Sequence, residues 1–344
     1  MSGKNNDELI KHSYGIFNLR KTGSIALTAL QAFKNSNSGV DLRNRPTGIE
    51  AELCRMTTAG AIMFCEPCEN VEVFEKDVKA FYPSIMLKNK FPISEGEFYK
   101  LTKDDDLTQY GFYRGCAFDI PEENLKLYRA GKGDWLTHAD IAIINGIGGR
   151  FVLIEDERPN AYLYEEKALK SGKILFGSFF HLCFGMEKTN ERCGKIVKKI
   201  RNSLWGALCQ INKRYTDINT PSKENKIEND GEILSVKLTT TRDGKTNYKI
   251  VRSNSGDIYG KNALMPRIAP FLLAFGRQTI GNIVLSYRRR HYRVVRCHTD
   301  GVYLVATEKS GLVKKNSRVR YAGDLTDKQE GVITIKNMAS VLKK

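Results

Sequence analysis

The sequence predicts an α+β fold made of antiparallel strands and amphipathic helices. Residues 71–78 alternate apolar and polar side chains, as a half-buried strand does. Residues 233–241 and 246–251 alternate in the same way around Asp243-Gly244, a dipeptide that favours the tight turn of a β-hairpin. After Pro266, apolar residues recur at the spacing of one helix face: Ile268, Phe271, Leu272 and Phe275.

The remaining elements are predicted from similar patterns along the chain. Residues 57–64 form a small-residue turn that enters a strand, and residues 179–208 form a helical stretch. Further strand-like segments are 111–120 and 150–155, and residues 294–305 have the pattern of a hairpin.

Composition narrows the class of partner. The chain has 344 residues, 41% of them hydrophobic and 27% charged, which is ordinary for a globular protein with two or three subdomains. Its net charge of +16 indicates a polyanionic partner, either nucleic acid or a membrane surface. No apolar run approaches the ~18 residues of a membrane span, and the N-terminus has no apolar signal core. Nucleic acid is therefore favoured, with no membrane partner.

The eight cysteines are scattered, which indicates reduced thiols and a cytoplasmic location. Cys65 and Cys68 have the spacing of a zinc-binding pair, but no second pair follows nearby, so ordinary thiols are expected. Glu50 and Glu52 are an isolated acidic pair, expected on a solvated helix face rather than at a metal.

Three stretches carry candidate chemistry. In the first, Asp77 ends a strand and is followed by Phe81-Tyr82-Pro83-Ser84, a turn into a helix; a solvated or turn-capping Asp is the alternative. In the second, cationic and aromatic residues recur every three or four positions and share a helix face: Lys195, Lys198, Asn202 and Trp205. Such a face suits a nucleoside triphosphate, and an exposed amphipathic helix is the alternative. In the third, Asp300 lies at the turn of the hairpin at 294–305.

In this order and spacing, the three stretches resemble motifs A, B and C of family B DNA polymerases, which read DxxSLYPS, KxxxNSxYG and YxDTDS. The resemblance covers residues 57–321 and implies a polymerase palm, an antiparallel sheet backed by helices, with short helical fingers and a β-hairpin insertion. It is nearest to the protein-primed phage, viral or plasmid type. It implies template-directed transfer of dNTPs onto a primer 3′-hydroxyl.

The resemblance assigns roles residue by residue. Asp77 and Asp300, with the backbone of Val78, bind two Mg²⁺ ions, with Mn²⁺ as a substitute; cations of this kind relieve the repulsion of two close carboxylates. Lys198 binds phosphate and Asn202 shapes the nucleotide pocket. Phe81 and Tyr82 line the sugar, and the Tyr82 ring excludes a ribose 2′-hydroxyl. Three cations compete for a second phosphate contact, and the choice stays open: Lys188, Arg192 and Lys195.

Two positions depart from the family pattern at motif C and one at motif B. His298 and Gly301 flank Thr299-Asp300 where the family has Asp and Ser, and histidine is a poorer magnesium ligand. Trp205 keeps a flat ring in place of the family tyrosine but lacks its hydroxyl. His298 and Gly301 motivate one alternative, a polymerase-like subunit that binds nucleic acid without catalysis. A second alternative is a primase or RNA-synthesising enzyme on the same palm.

DNA contacts are expected from further resemblances. Gly60 lies where the family places a Gly-rich link to the template, and Arg277 ends a segment resembling the Ala-x-x-Arg end of a palm helix. Arg318, Arg320 and Tyr321 resemble the Lys-x-Tyr motif that steadies the primer end. The arginines of 288–296 either contact phosphates or serve solubility.

The implied organisation begins with an N-terminal segment (1–55), a first palm segment (56–112), a palm insertion (113–177) and fingers (178–212). A β-hairpin insertion (213–256) and a second palm segment with a C-terminal tail (257–344) follow. The 23 residues after Tyr321 are too few for a full thumb, since an independent domain needs ~50 residues or more. The N-terminal 55 residues are barely that long and show no convincing set of carboxylates for a proofreading exonuclease.

We therefore expect no 3′–5′ exonuclease activity, weak and salt-sensitive binding of primer-template DNA, and an accessory protein that supplies thumb, clamp or exonuclease function. A priming protein is a further expected partner. The alternative is that the chain is a fragment of a longer polypeptide.

Overall fold

The computed structural model describes residues 3–36, 45–189, 191–217, 233–240, 246–253, 258–260, 262–310 and 323–335. The helices are α1 Gly3–His12, α2 Leu19–Thr22, α3 Ile25–Ser36, α4 Gly48–Thr57, α5 Phe81–Lys88, α6 His138–Gly146, α7 Gly172–Thr189, α8 Glu191–Leu208 and α9 Ile268–Arg289. Two short 3-10 helices cover Glu122–Leu127 and Glu166–Ala168. The strands are β1 Met63–Cys65, β2 Cys68–Val78, β3 Lys90–Pro92, β4 Glu97–Tyr99, β5 Gly111–Phe118, β6 Trp135–Thr137, β7 Arg150–Leu153, β8 Ala161–Leu163, β9 Leu169–Ser171, β10 Lys213–Asp217, β11 Ile233–Thr240, β12 Thr246–Ser253, β13 Arg293–His298, β14 Gly301–Val305 and β15 Leu325–Ile335.

A five-stranded antiparallel sheet lies at the centre, with strand order β1-β13-β14-β2-β15. The strand β2 pairs with β14 on one side and with β15 on the other. It buries Val73 and Val78 on opposite faces of the strand, in two different hydrophobic clusters. The β13–β14 hairpin is the one predicted at residues 294–305.

The long helix α9 packs against the central sheet at β13 and against α5 and α6. Its predicted apolar stripe is buried at Ile268, Phe271 and Leu272, which are all 0% exposed. By length and composition α9 could cross a membrane, but 67% of its apolar stretch is buried inside the protein. That burial is typical of a core helix.

A second antiparallel sheet, ordered β4-β8-β5-β6 with β7 added on β5, lies within residues 97–163. Its core contains Tyr113 and Ala161, both 0% exposed. The helix α6 begins directly after β6. It starts with a capping box in which the side chains of Thr137 and Asp140 each accept a hydrogen bond from the other's backbone N–H. Asp140 is thereby fixed where α6 meets α9.

The helices α7 and α8 form an antiparallel pair that packs on the N-terminal helix α3. Phe33 of α3 stacks on Phe176 of α7, with ring centroids 5.7 Å apart. Arg201 of α8, 3% exposed, bonds Glu187 of α7 through two guanidinium nitrogens at 2.5 and 3.2 Å. A paired, doubly bonded charge of this kind fixes the orientation of two helices.

The strands β10, β12 and β11 form a separate three-stranded sheet. Their antiparallel pairing places residues 240 and 246 opposite each other. The predicted turn at Asp243-Gly244 lies outside the described residues.

Two expectations about the N-terminal third have clear outcomes. Glu50 is not on a solvated face: it is 6% exposed, accepts two bonds from the Arg267 guanidinium at 2.7 and 2.6 Å, and accepts a third from the Tyr164 hydroxyl at 2.9 Å. These partners lie more than 100 residues away in the chain, so local sequence does not show them. Cys65 and Cys68 are free, half-buried thiols.

Candidate active site

The central sheet brings Asp77 and Asp300 together. Asp77 is the penultimate residue of β2 and pairs with Gly301, the first residue of β14. The Val78 N–H donates to the backbone carbonyl of Asp300 at 2.9 Å. Thr299 adopts a left-handed backbone with φ +60°, a strained conformation for a β-branched residue, and so turns Asp300 back over β2.

The two carboxylates influence each other electrostatically. Burial raises the pKa of Asp300, and the negative charge of Asp77 raises it further, while Lys328 and His298 oppose the shift. Two like charges at one sheet edge are stable only with a proton or a cation between them. The site therefore attracts cations.

One cation within the protein contacts this pair. The Lys328 ammonium lies 3.1 Å from Asp77 Oδ2. Lys328 reaches it because β15 bulges: Asp327 pairs with Lys76 and Gln329 pairs with Glu75, so that Lys328 is the extra residue. A bulge re-aims a side chain in this way and leaves no mark in the sequence pattern. Lys328 was accordingly not predicted from sequence.

The donor set fits a hard divalent cation. Within the described residues, no group of three or more histidine, cysteine, aspartate and glutamate side chains is placed to hold a metal ion. The available protein donors are thus the carboxylate oxygens of Asp77 and Asp300, together with backbone carbonyls such as that of Val78. Oxygen donors of this kind suit Mg²⁺ or Mn²⁺ far better than zinc.

An aromatic cluster joins the carboxylates to the helical pair. The Tyr82 ring lies with its centroid 5.1 Å from the Trp205 ring of α8 and 5.0 Å from the Phe81 ring. Burial and then the charge of Asp300 raise the pKa of the Tyr82 hydroxyl to about 12, so the phenol is neutral. Ala80, left-handed at φ +49°, makes the tight turn from β2 into α5 that brings Tyr82 there.

A cleft of about 930 Å³ opens beside Asp77. Among the residues that the structure describes, seven cationic side chains line it, together with two acidic ones, Asp77 and Glu187. The cations are Lys79, Lys88, Lys173, Lys188, Lys198, Arg201 and Lys328. A concave surface of this charge attracts a polyanion such as a triphosphate.

The structure separates the candidates for phosphate contact on the helical pair. Lys188 and Lys198 both line the cleft. Lys195 instead bonds Glu191 at 2.9 Å on an exposed surface, one helical turn away. Asn202 is exposed on α8 but does not line the cleft. Among these residues, the geometry favours Lys188 over Lys195 as the second phosphate ligand.

Arg277 does not fit the predicted DNA contact. It is 1% exposed, and its guanidinium bonds the Asp140 carboxylate at 2.6 Å and the carbonyls of Ala59 and Gly60 at 2.6 and 3.1 Å. A buried guanidinium with these partners is a structural support. Arg277 therefore holds the segment around Gly60, which itself lies next to the Arg129 side chain.

Most arginines of the 288–296 run are engaged within the protein. Arg288 donates to the Glu123 carbonyl at 2.8 Å, Arg293 bonds Glu66 at 3.2 Å, and Arg296 is buried over the Tyr303 ring. The predicted primer-end residues Arg318, Arg320 and Tyr321 lie outside the described residues.

Several residues of the cleft were not predicted. Lys79 stands inside the first motif, and its charge was a local signal that could have been used. Lys173 and Lys88 come to the cleft from the start of α7 and the end of α5, and Arg201 from within the second motif. Only the tertiary packing of these elements reveals them.

Comparison with solved structures relates this fold to a DNA polymerase. Phi29 DNA polymerase in its ternary complex with primer-template DNA and incoming nucleotide matches with a TM-score of 0.63 and 13% identity over 93% of this chain and 56% of the polymerase. Its binary complex with primer-template DNA matches with a TM-score of 0.62 and 15% identity over 93% and 55%. The orthorhombic crystal form of the same polymerase gives 0.57 and 15% over 97% and 54%.

These comparisons establish a polymerase-like fold. The sequence identities are too low to carry more than the fold, and the chain spans about half the length of the polymerase it matches. No protein-family model matches the sequence, and a search of curated proteins found no match.

Proposed function

We propose that this chain is a template-directed DNA polymerase of the family B type, which transfers dNTPs onto the 3′-hydroxyl of a primer. The primer oxygen attacks the α-phosphorus, the bond from that phosphorus to the bridging oxygen breaks, pyrophosphate leaves, and the hydroxyl proton passes to solvent. Such a reaction depends mainly on positioning and charge neutralisation, which this site is built to supply.

One observation carries the proposal. The β2–β14 pairing brings Asp77 next to the Asp300-Gly301 turn, and five residues after Asp77 the Tyr82 ring contacts Trp205 of α8. Asp77 also lines the cationic cleft, so a carboxylate pair lies beside a surface suited to the phosphates of a metal-bound nucleoside triphosphate.

Different residues contact the triphosphate and the sugar of the nucleotide. Lys188 and Lys198 hold the triphosphate in the cleft beside Asp77. Tyr82, braced by Phe81 and Trp205, lies under the sugar, where its ring leaves no room for a 2′-hydroxyl.

Asp77, Asp300 and the Val78 carbonyl would hold divalent cations, Mg²⁺ in the first instance. When bound, such ions would lower the pKa of the primer hydroxyl and neutralise charge on the phosphates. The function of Arg277 is to support the segment around Gly60, which we place against the template strand.

The proposed partners are primer-template DNA and dNTPs, with an accessory protein that increases affinity for the duplex. The net charge of +16 supports a nucleic-acid partner. A cytoplasmic location accords with eight cysteines that are scattered along the chain.

A primer-extension assay tests the proposal. The purified chain, Mg²⁺ and a labelled primer-template are incubated with dNTPs and, separately, with NTPs. We expect dNTP addition, and we expect Asp77→Asn and Asp300→Asn to lower its rate by at least ~100-fold, since each removes several kcal/mol of charge stabilisation. Asp104→Asn, which removes the same charge from an exposed loop, is the matched control.

The same assay separates the alternatives. DNA binding without extension by the wild type would identify a polymerase-like binding subunit. Extension with NTPs in preference to dNTPs would identify an RNA-synthesising enzyme. Near wild-type extension by either aspartate variant would disprove the assignment of the metal-binding carboxylates.

A further inference from the structure

We propose that Lys328 is a built-in counterion of the carboxylate pair, which holds Asp77 while the site lacks a divalent cation and is displaced when that cation binds. The inference rests on the proposed metal site at Asp77 and Asp300. It assigns a role in that site to a residue of β15, an element outside all three sequence motifs.

The contact is a direct ion pair at the proposed metal-binding oxygen. Lys328 Nζ lies 3.1 Å from Asp77 Oδ2, within hydrogen-bonding distance. An ammonium and a divalent cation that share this oxygen lie close together and repel each other. Binding of a metal ion to Asp77 Oδ2 therefore displaces Lys328.

Lys328 is placed so that it can move. Its side chain is 50% exposed, whereas Asp77 is 18% exposed. The neighbouring ion pair of the same two strands, between Lys76 and Asp327, contrasts with it, since the Lys76 side chain is only 1% exposed. In the first pair the lysine is accessible to solvent at the cleft, whereas in the second the lysine is buried and only its Asp327 partner reaches the surface.

The surroundings make the position one that attracts cations. Asp77 contacts Lys328 directly, and Glu75 lies two residues before Asp77 on β2, opposite Gln329, the residue after Lys328. Without this lysine, the carboxylates would repel each other across the end of β2 in the metal-free chain. The bulge in β15 that aims Lys328 at them thus stabilises a site that is otherwise unfavourable when empty.

The displaced ammonium stays in the cationic cleft, because Lys328 also lines it. A triphosphate there would accept the ammonium and so remove the competitor from Asp77. Metal binding should consequently be weak in the free protein and stronger when a triphosphate is present. This is a positive coupling between two ligands of one site.

Direct binding of Mn²⁺, followed by electron paramagnetic resonance of the free ion, tests the idea without any reaction. We compare the wild type with Lys328→Met, Lys328→Arg, Lys173→Met and Asp77→Asn at one pH and salt concentration. Lys173 is the matched control, since it lines the same cleft and makes no ion pair among the described residues. The melting temperature of each variant is measured in EDTA and in Mn²⁺.

The Lys328→Met variant should bind Mn²⁺ about threefold to fivefold more tightly than the wild type, as removal of one partly exposed competing ion pair predicts. Lys328→Arg should bind like the wild type, and Lys173→Met should gain less than about twofold because its charge is not on Asp77. In EDTA, Lys328→Met should melt below the wild type, and Mn²⁺ should raise its melting temperature by more.

Equal Asp77-dependent binding by the wild type and Lys328→Met would overturn the counterion role and leave the proposed polymerase site intact. An equal gain in Lys173→Met would overturn it as well, because the effect would then be one of general charge. If neither the wild type nor Lys328→Met binds Mn²⁺ in a manner sensitive to Asp77→Asn, both the counterion role and the proposed metal site are wrong.

Discussion

Tyr82 is the residue on which the proposed substrate choice depends. Its ring is held between Phe81 and Trp205, at centroid distances of 5.0 and 5.1 Å, and burial keeps its hydroxyl neutral. A ring fixed in this way would exclude a ribonucleotide by steric contact with the one added group, its 2′-hydroxyl.

We expect Tyr82→Val to raise the ratio of NTP to dNTP incorporation by roughly one to two orders of magnitude, because valine frees the space of the ring. Tyr82→Phe is the matched control, since it keeps the ring and loses only the hydroxyl, and it should retain discrimination. The measurement is single-nucleotide incorporation with each substrate in turn. A ratio in Tyr82→Val equal to that of the wild type would remove Tyr82 from this role.

His138 makes stability depend on pH. It lies against the rings of Tyr110 and Phe271, with centroids 4.4 and 5.6 Å away, and burial lowers its pKa from 6.5 to about 4. Between pH 4 and pH 6.5, the unfolded chain therefore binds a proton at this imidazole and the folded chain does not. The stability from neutral His138 is fully present above pH 6.5 and is lost as pH falls towards 4.

His138→Phe should remove on the order of 2–3 kcal/mol of the fall in unfolding free energy between pH 7 and pH 4. Urea unfolding at a series of pH values measures it. His181→Gln, at an exposed position on α7, should keep the wild-type pH dependence. A His138→Phe profile parallel to the wild type would show that this imidazole titrates normally.

At the residue scale, sequence could name groups that stand within one contiguous motif, such as Asp77 and Tyr82. It could not name Lys328, whose contact with Asp77 depends on a bulge in a distant strand. It also misassigned Arg277, because a guanidinium buried on Asp140 and one exposed to DNA are identical in sequence. Whether a charged side chain is buried depends on how distant elements pack together, and local sequence patterns do not show that packing.

At the scale of elements, periodicity predicted β2, the β13–β14 hairpin and the apolar stripe of α9, because alternation marks a strand and three- or four-residue spacing marks a helix face. The short strands β3 and β9 were not predicted. They have three residues each, too few to display a period, and exist only because they pair with each other. Their pairing leads directly into α7, which carries one wall of the cleft.

The start of α7 lies very close to α5. A Cβ added to Gly172 would lie 1.6 Å from the backbone carbonyl oxygen of Met86, and the Gly172 N–H donates to the Asn89 carbonyl at 2.8 Å. Gly172→Ala should therefore lower the unfolding free energy by about 2 kcal/mol or more, since backbone must shift to relieve the clash.

Gly177, further along the same helix, is the matched control. A Cβ there meets nothing within 4 Å, so Gly177→Ala should leave stability unchanged or raise it by about 0.5–1 kcal/mol. Chemical denaturation of both variants measures the difference. Equal stability of the two would mean that α5 and α7 approach less closely than described.

At the scale of the whole molecule, the polymerase-like fold and the charge of the chain lead to one expectation about binding. The net charge is +16, and the seven cationic side chains of the cleft face only two acidic ones. Nearly all of these cations lie at the cleft surface rather than in the core. Contacts from such side chains to DNA phosphates release counterions, so that salt opposes binding by mass action.

Affinity for primer-template DNA should accordingly fall by roughly 10³-fold between 50 and 200 mM salt, as expected for about six phosphate contacts. Fluorescence anisotropy of a labelled duplex with a single-stranded template end, at constant pH, gives the slope of log affinity against log salt. A neutral osmolyte at equal osmolality is the control and should have little effect, because it displaces no counterions. A slope near zero would show that the positive charge of this chain does not serve DNA binding, and the proposed substrate would then have to be abandoned even if the fold is that of a polymerase.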